Sequence, residues 1–78
     1  MPELVLYQSS WCPFCRKVTN YLKSRNIEIP FKDPGADSAA KAELMGMTGR
    51  GQVPCLSIDG QPLLESDDII RWFEDNWK

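Results

Sequence analysis

Two cysteines separated by two residues, Cys12 and Cys15, stand close behind a short apolar run, Leu4-Val5-Leu6-Tyr7, with the polar stretch Gln8-Ser9-Ser10-Trp11 between. That juncture constrains the fold more than any other feature. The run reads as a strand buried on both faces. Pro13, between the cysteines, suits the first turn of a helix, where its missing N–H leaves nothing unpaired. Cys12 then falls at the N-cap and Cys15 at the third helical position. Residues so spaced have Cα atoms roughly 5 Å apart, within reach of a disulfide. Cys12 also faces the free N–H groups and positive end of the helix dipole, which favours thiolate over thiol. The pattern supports a reversible dithiol/disulfide pair.

Three cysteines in 78 residues are too few and too clustered for a disulfide-stapled secreted scaffold. Met1-Pro2-Glu3 ahead of the apolar run has neither the charged start nor the long apolar core of an export signal. No stretch approaches membrane-spanning length. The expectation is one domain over residues 1–78 in a reducing, cytoplasmic setting, with no membrane partner. The chain has no histidine, which excludes histidine-based catalysis and Cys/His zinc sites within one chain. A net charge of −2, with acids and bases interspersed, argues against nucleic acid as a partner.

From Pro13 the apolar residues Phe14, Val18, Tyr21 and Leu22 form a helical stripe that should end near Arg25-Asn26. Ile27, Ile29 and Phe31 alternate with Glu28, Pro30 and Lys32, predicting a strand in which Pro30 marks a sheet edge. Strand, helix and strand at this spacing make a βαβ unit with parallel strands. After the turn Asp33-Pro34-Gly35, a helix is predicted over Ser38 to Met45, with Ala40, Leu44 and Met47 inward and Gly46 near its end. A glycine-bearing loop, Thr48 to Gln52, leads through Val53-Pro54 into the strand Cys55-Leu56-Ser57-Ile58. Asp59-Gly60 is a strong hairpin signal, joining that strand to Gln61-Pro62-Leu63-Leu64, with Pro62 again suiting an edge. Ser66 reads as the N-cap of a last helix, Asp67 and Asp68 as first-turn acids, and Ile69, Ile70, Phe73 and Trp77 as its buried stripe.

The order β-α-β-α-β-β-α with a CxxC after the first strand resembles the thioredoxin fold, and within it a small glutaredoxin. Three motifs carry the resemblance. Cys12-Pro13-Phe14-Cys15 is close to the Cys-Pro-Tyr-Cys pattern of dithiol glutaredoxins. Thr48-Gly49-Arg50 followed by Val53-Pro54 is similar to the Gly-Arg…Val-Pro loop before the third strand. Leu64-Glu65-Ser66-Asp67-Asp68 stands where many glutaredoxins have Gly-Gly-x-Asp-Asp. Two departures accompany these matches. Ser9 occupies the place, three residues before the first cysteine, of a lysine that many glutaredoxins carry. Leu64-Glu65-Ser66 replaces the glycine pair and is similar to the Glu-Ser of glutathione-transferase N-terminal domains. Transferases of that kind need a large helical second domain for the electrophile, for which these residues leave no room.

The resemblance implies an α/β domain with a four-stranded mixed sheet and three helices, acting as a monomeric thiol–disulfide oxidoreductase in cell redox homeostasis. Cys12 and Cys15 would be catalytic within a motif that includes Pro13 and Phe14. Glutathione would be a cosubstrate rather than a tightly bound cofactor, and glutathionylated or disulfide-containing proteins the partners. Val53 would pair with the glutathione backbone in the manner of an added strand, held by Pro54 as a cis proline. Glu65, Ser66 and Asp67 would take the γ-glutamyl end, with the Ser66 hydroxyl and Asp67 N–H as an anion site and the Asp67 carboxylate meeting the ammonium. Arg50, Arg16 or Lys17 would take the other carboxylate in place of the lysine missing at Ser9.

Taken singly, these residues have plainer readings. Ser66, Asp67 and Asp68 suit any well-capped helix start, and Arg16 and Lys17 suit a solvated surface. Trp11 and Phe14 suit contacts with partner proteins, although Phe14 could simply pack, while Tyr7, Trp72 and Trp77 suit packing. Cys55, after Pro54 at a strand start, reads as a buried small hydrophobe. Two other redox functions remain open: a thioredoxin-like electron carrier reduced by a flavoprotein, and a glutathione-ligated [2Fe–2S] carrier. Pro13 argues against the second, since glutaredoxins in that role usually have glycine or serine there.

Overall fold

The computed structural model describes residues 2–77, with β1 (Leu4–Tyr7), α1 (Pro13–Ser24), β2 (Phe31–Lys32), α2 (Ser38–Thr48), β3 (Cys55–Ile58), β4 (Gln61–Leu64) and α3 (Ser66–Asn76). The sheet order is β2-β1-β3-β4. β1 runs parallel to β2 and antiparallel to β3, and the β3–β4 hairpin closes the far edge. These are the order and mixed sheet that the resemblance implies.

Strand alternation distributes the core. Leu4 and Leu6 of β1 and Leu56 of β3 point to one face, where they meet Val18 and Leu22 of α1 and Ile69 and Phe73 of α3. Tyr7 and Cys55 point to the other face, against Ala40 and Leu44 of α2. Both faces of β1 are thus covered, which explains why its sequence is continuously apolar. Trp72 and Trp77 pack, half-buried, on the first cluster. The Tyr7 hydroxyl escapes the core by donating to Glu43 Oε1 at 2.9 Å, an oxygen that also accepts from Lys32 Nζ at 2.7 Å.

Three expectations need correction. The strand predicted over residues 27–32 is paired only at Phe31–Lys32. Asn26 takes a left-handed φ of 56°, and the Ile27 N–H turns back to the Leu22 carbonyl at 2.9 Å, closing the end of α1 instead of joining the sheet. Pro30 has no N–H to give, although its carbonyl accepts from Leu6 at 3.0 Å. The alternation at Ile27 and Ile29 therefore records burial without pairing, and Phe31 on the edge strand is exposed rather than inward. Second, α2 continues through Gly46 to Thr48. It ends where Gly49 adopts φ 76° and returns its N–H to the Met45 carbonyl, a left-handed cap that Gly46 does not form.

Third, α3 begins at Ser66, so the N-cap is Glu65, whose carbonyl accepts from Ile69 at 3.0 Å. Glu65 has φ 74°, a backbone region costing a non-glycine residue on the order of 1 kcal/mol. Of the two readings open for Phe14, exposed contact or packing, the structure has the ring exposed, at 64%. The hairpin is as predicted: Asp59 and Gly60 both have positive φ, 51° and 84°, as a two-residue type I′ turn requires. Among the described residues no helix is long and apolar enough to cross a membrane.

Candidate active site

The site begins at the end of β1, where the chain leaves the sheet and must start a helix within a few residues. Cys12 is the N-cap of α1 in extended conformation, and Pro13 takes the first helical position. The Cys12 carbonyl accepts the Arg16 N–H at 3.0 Å, the opening bond of the helix, and its own N–H donates to the Ser9 carbonyl at 3.2 Å. This places Cys15 one turn in, fully buried, while Cys12 keeps 7% exposure at the helix end. Both thiols are free, and the Cys12 sulfur lies against Cys15.

The two cysteines differ in environment. Burial pushes the Cys15 thiol up to about 12, with the neighbouring Cys12 sulfur and the Asp33 carboxylate adding to the rise. The Ser9 N–H, which donates to Cys15 Sγ at 3.4 Å, opposes it. Cys15 therefore stays a thiol at neutral pH. Cys55 is likewise buried and raised, and it makes no part of the pair. Among the described residues no three cysteine, aspartate or glutamate side chains gather into a group that could hold a metal ion.

Burial also raises Tyr7 to about 12, helped by Glu43. Tyr7, Cys15 and Cys55 are thus acids that the fold keeps protonated and that the unfolded chain releases near their ordinary values, about 8.5 for cysteine and 10 for tyrosine. A pKa raised by folding contributes stability that is complete below the unfolded value and is lost as pH climbs towards the folded one. Stability should therefore be flat from pH 7 to about 8 and then fall towards pH 12. The slope should approach 1.4 kcal/mol per pH unit for each such group. Urea unfolding across that range checks this, and Cys15→Ala should flatten the fall. An unchanged slope in that variant would show that Cys15 ionises alike in both states.

Two grooves flank the motif. One, of about 320 Å³, is lined by Phe14, Lys17, Gln52, Val53, Pro54, Glu65, Ser66 and Asp67. It therefore gathers six of the residues singled out for a glutathione ligand, Lys17, Val53, Pro54, Glu65, Ser66 and Asp67, from three separate stretches of chain. The Val53–Pro54 peptide bond is cis. Ser66 is buried at the start of α3, and Lys17 on α1 forms an ion pair with Asp67 Oδ1 across the groove. Arg50 does not line this groove; its guanidinium reaches Gln52 Oε1 at 3.4 Å. Arg16 is exposed on α1 and lines neither groove.

Gln52 is a site residue that sequence reasoning missed. Its amide donates to Glu65 Oε1 at 3.3 Å and ties the loop before β3 to the start of α3. Its position beside Val53-Pro54 was the available signal. The second groove, of about 480 Å³, opens on the other side of Val53 and includes Ser9 and Trp11. Trp11 lines one groove and Phe14 the other, and these two residues flank Cys12-Pro13 in the chain.

A family model described as the N-terminal domain of glutathione S-transferase matches residues 6–77. A glutaredoxin-like 8.6 kDa protein of Clostridium pasteurianum is 33% identical over 71 residues, covering 85% of this chain and 95% of that one. This chain belongs to the glutaredoxin-like proteins. The fold agrees. A buckwheat glutaredoxin in complex with glutathione superposes with a TM-score of 0.71 at 21% identity, over 95% of this chain and 70% of that one. A diazinon-metabolizing glutathione S-transferase of the silkworm, Bombyx mori, superposes with a TM-score of 0.77 at 23% identity over 96% of this chain. The glutaredoxin-like chain spans only 38% of that transferase.

Such proteins form a thiol–disulfide oxidoreductase family, and the glutaredoxin-like chain has the apparatus for that class: one thiol at a helix end and a second buried one turn behind it. Glu65 explains how it tolerates losing the glycine pair. The non-glycine residue itself adopts the positive φ, and its carboxylate is steadied by Gln52. Strain of this kind persists where the surroundings over-determine the backbone, commonly at ligand sites.

Proposed function

We propose that this protein reduces glutathione mixed disulfides and protein disulfides, with glutathione as the reductant. The observation that carries the reading is the groove bordered by Phe14 of the cysteine motif, where Val53, Pro54, Glu65, Ser66 and Asp67 converge. Val53 offers backbone groups to an extended peptide. The start of α3 presents N–H donors to a carboxylate. Asp67 offers its carboxylate to an ammonium, in exchange for the Lys17 ammonium that it holds in the free protein.

In the first route the Cys12 thiolate attacks the glutathione sulfur of a mixed disulfide. A Cys12–glutathione disulfide forms, the protein–glutathione bond breaks, and the departing protein thiolate takes a proton from water. A second glutathione thiolate then attacks the glutathionyl sulfur, giving oxidised glutathione and free Cys12. In the second route Cys12 attacks a protein disulfide, and Cys15 attacks Cys12 in turn, its proton passing to the leaving thiolate. Two glutathione molecules then reduce the Cys12–Cys15 disulfide. The reading includes a monomer in the cytoplasm, where glutathione is kept reduced.

Turnover of a glutathionylated peptide tests this. With glutathione and glutathione reductase as the only source of electrons, the rate should saturate in glutathione. Turnover that instead requires thioredoxin reductase and ignores glutathione would overturn the proposal in favour of a flavoprotein-coupled carrier.

A further inference from the structure

Two helices meet at the smaller groove. Val18 and Leu22 of α1 pack into one cluster with Ile69 and Phe73 of α3. Lys17 precedes the buried Val18, and Asp67 follows the buried Ser66. That packing brings Lys17 and Asp67 together at the groove, where they form an ion pair. Among the described residues that line this groove, Lys17 is the one cation. Of the two carboxylates there, Glu65 accepts from the Gln52 amide and Asp67 is held by Lys17.

The Lys17 side chain ends in an ammonium, the same chemical group that glutathione carries at its γ-glutamyl end. On the glutathione reading above, on which this inference rests, both address the Asp67 carboxylate. The ligand's ammonium therefore gains its ion pair only by breaking the one already present. We propose that Lys17 is a specificity-determining residue, an internal stand-in for the ligand's ammonium that lowers what this group contributes to capture. Preference for mixed disulfides that carry the ammonium is then set by the difference between two ion pairs rather than by one.

Exposure sets the size of the effect and its response to salt. The Lys17 and Asp67 side chains are 52% and 78% exposed. An ion pair so exposed changes an equilibrium by about threefold and is screened by salt. Forming one such pair while breaking another cancels most of that salt response, whereas forming one alone retains it. Lys17 thus also makes the ammonium's share of binding nearly independent of ionic strength.

The test measures kcat/KM for one peptide as its mixed disulfide with glutathione and with N-acetylglutathione, which has both carboxylates but no ammonium. Glutathione is the reductant throughout. The ratio of the two values isolates the ammonium. In the wild type it should vary little between about 0.01 M and 1 M ionic strength. Lys17→Met should raise the ratio about threefold at the low end, and the gain should vanish at the high end. Lys17→Arg should match the wild type. In an Asp67→Asn background Lys17→Met should leave the ratio unaltered, because the carboxylate they compete for is gone. Lys17 is exposed, so its variants should keep the wild-type circular dichroism. A Lys17→Met ratio no higher than the wild type's at low ionic strength, or raised equally at both ends, overturns the assignment and leaves the proposed function standing. A wild type that turns over neither mixed disulfide with glutathione overturns both.

Discussion

Cys12→Ser should lose turnover of glutathione mixed disulfides by about a thousandfold or more, the scale expected when a covalent nucleophile is removed. Cys15→Ser should keep that turnover within a few-fold. Serine oxygen cannot form the disulfide through which every route passes, so nothing substitutes for Cys12. Cys15 is fully enclosed, and burial pushes it up to about 12, so its part is confined to attacking Cys12 from within. Glutathione can perform that second step when the bond to be broken is a mixed disulfide. On a protein disulfide, by contrast, Cys15→Ser should slow reduction strongly, because the intermediate must then wait for glutathione. Equal losses in the two single variants on the mixed disulfide would contradict the unequal roles.

Phe73→Ala should unfold the domain or nearly so. The ring is 1% exposed and meets Trp72 edge-on, with centroids 5.1 Å apart, and Trp77 at 5.8 Å. It fills the space between α3 and the strand face that carries Leu4, Leu6 and Leu56. Truncating a buried phenylalanine costs about 3–5 kcal/mol, and a core of this size supplies about that much in total. Circular dichroism with urea unfolding measures the loss. Phe73→Leu, which keeps most of the volume, should remain folded with a lower midpoint. Phe14→Ala, at an exposed aromatic, should change stability by no more than about 0.5 kcal/mol. A Phe73→Ala protein as stable as Phe14→Ala would contradict this account of the core.

What could be read in the sequence followed from signals that are local in the chain. Pro13 starts α1, Asp59-Gly60 makes the hairpin, and the continuous run Leu4–Tyr7 reports a strand covered on both faces. Elements whose limits depend on tertiary hydrogen bonds could not be read in this way. The Ile27 N–H could have joined the sheet but closes α1 instead, and Gly46 could have ended α2 but Gly49 does so. The candidate site divides along the same line. Cys12, Cys15, Val53, Pro54, Glu65, Ser66 and Asp67 belong to short motifs with fixed spacing. Gln52–Glu65 and Lys17–Asp67 are contacts between separate elements, and no spacing rule connects their partners. The helix α2 shows the difference well. Its inward face was legible, but only the fold shows that its neighbouring stripe, Ser38 and Lys41, lines the second groove.

The central claim is that Cys12 alone forms the bond to glutathione, and the intact mass of Cys15→Ser measures this most directly. After incubation with a glutathionylated peptide and removal of excess reagent, the account predicts one glutathionyl group per chain. It should map to Cys12, be removable by free glutathione, and be absent from Cys12→Ser treated alike. A glutathionyl group on Cys55, or none on Cys12 while the peptide is still reduced, would contradict it.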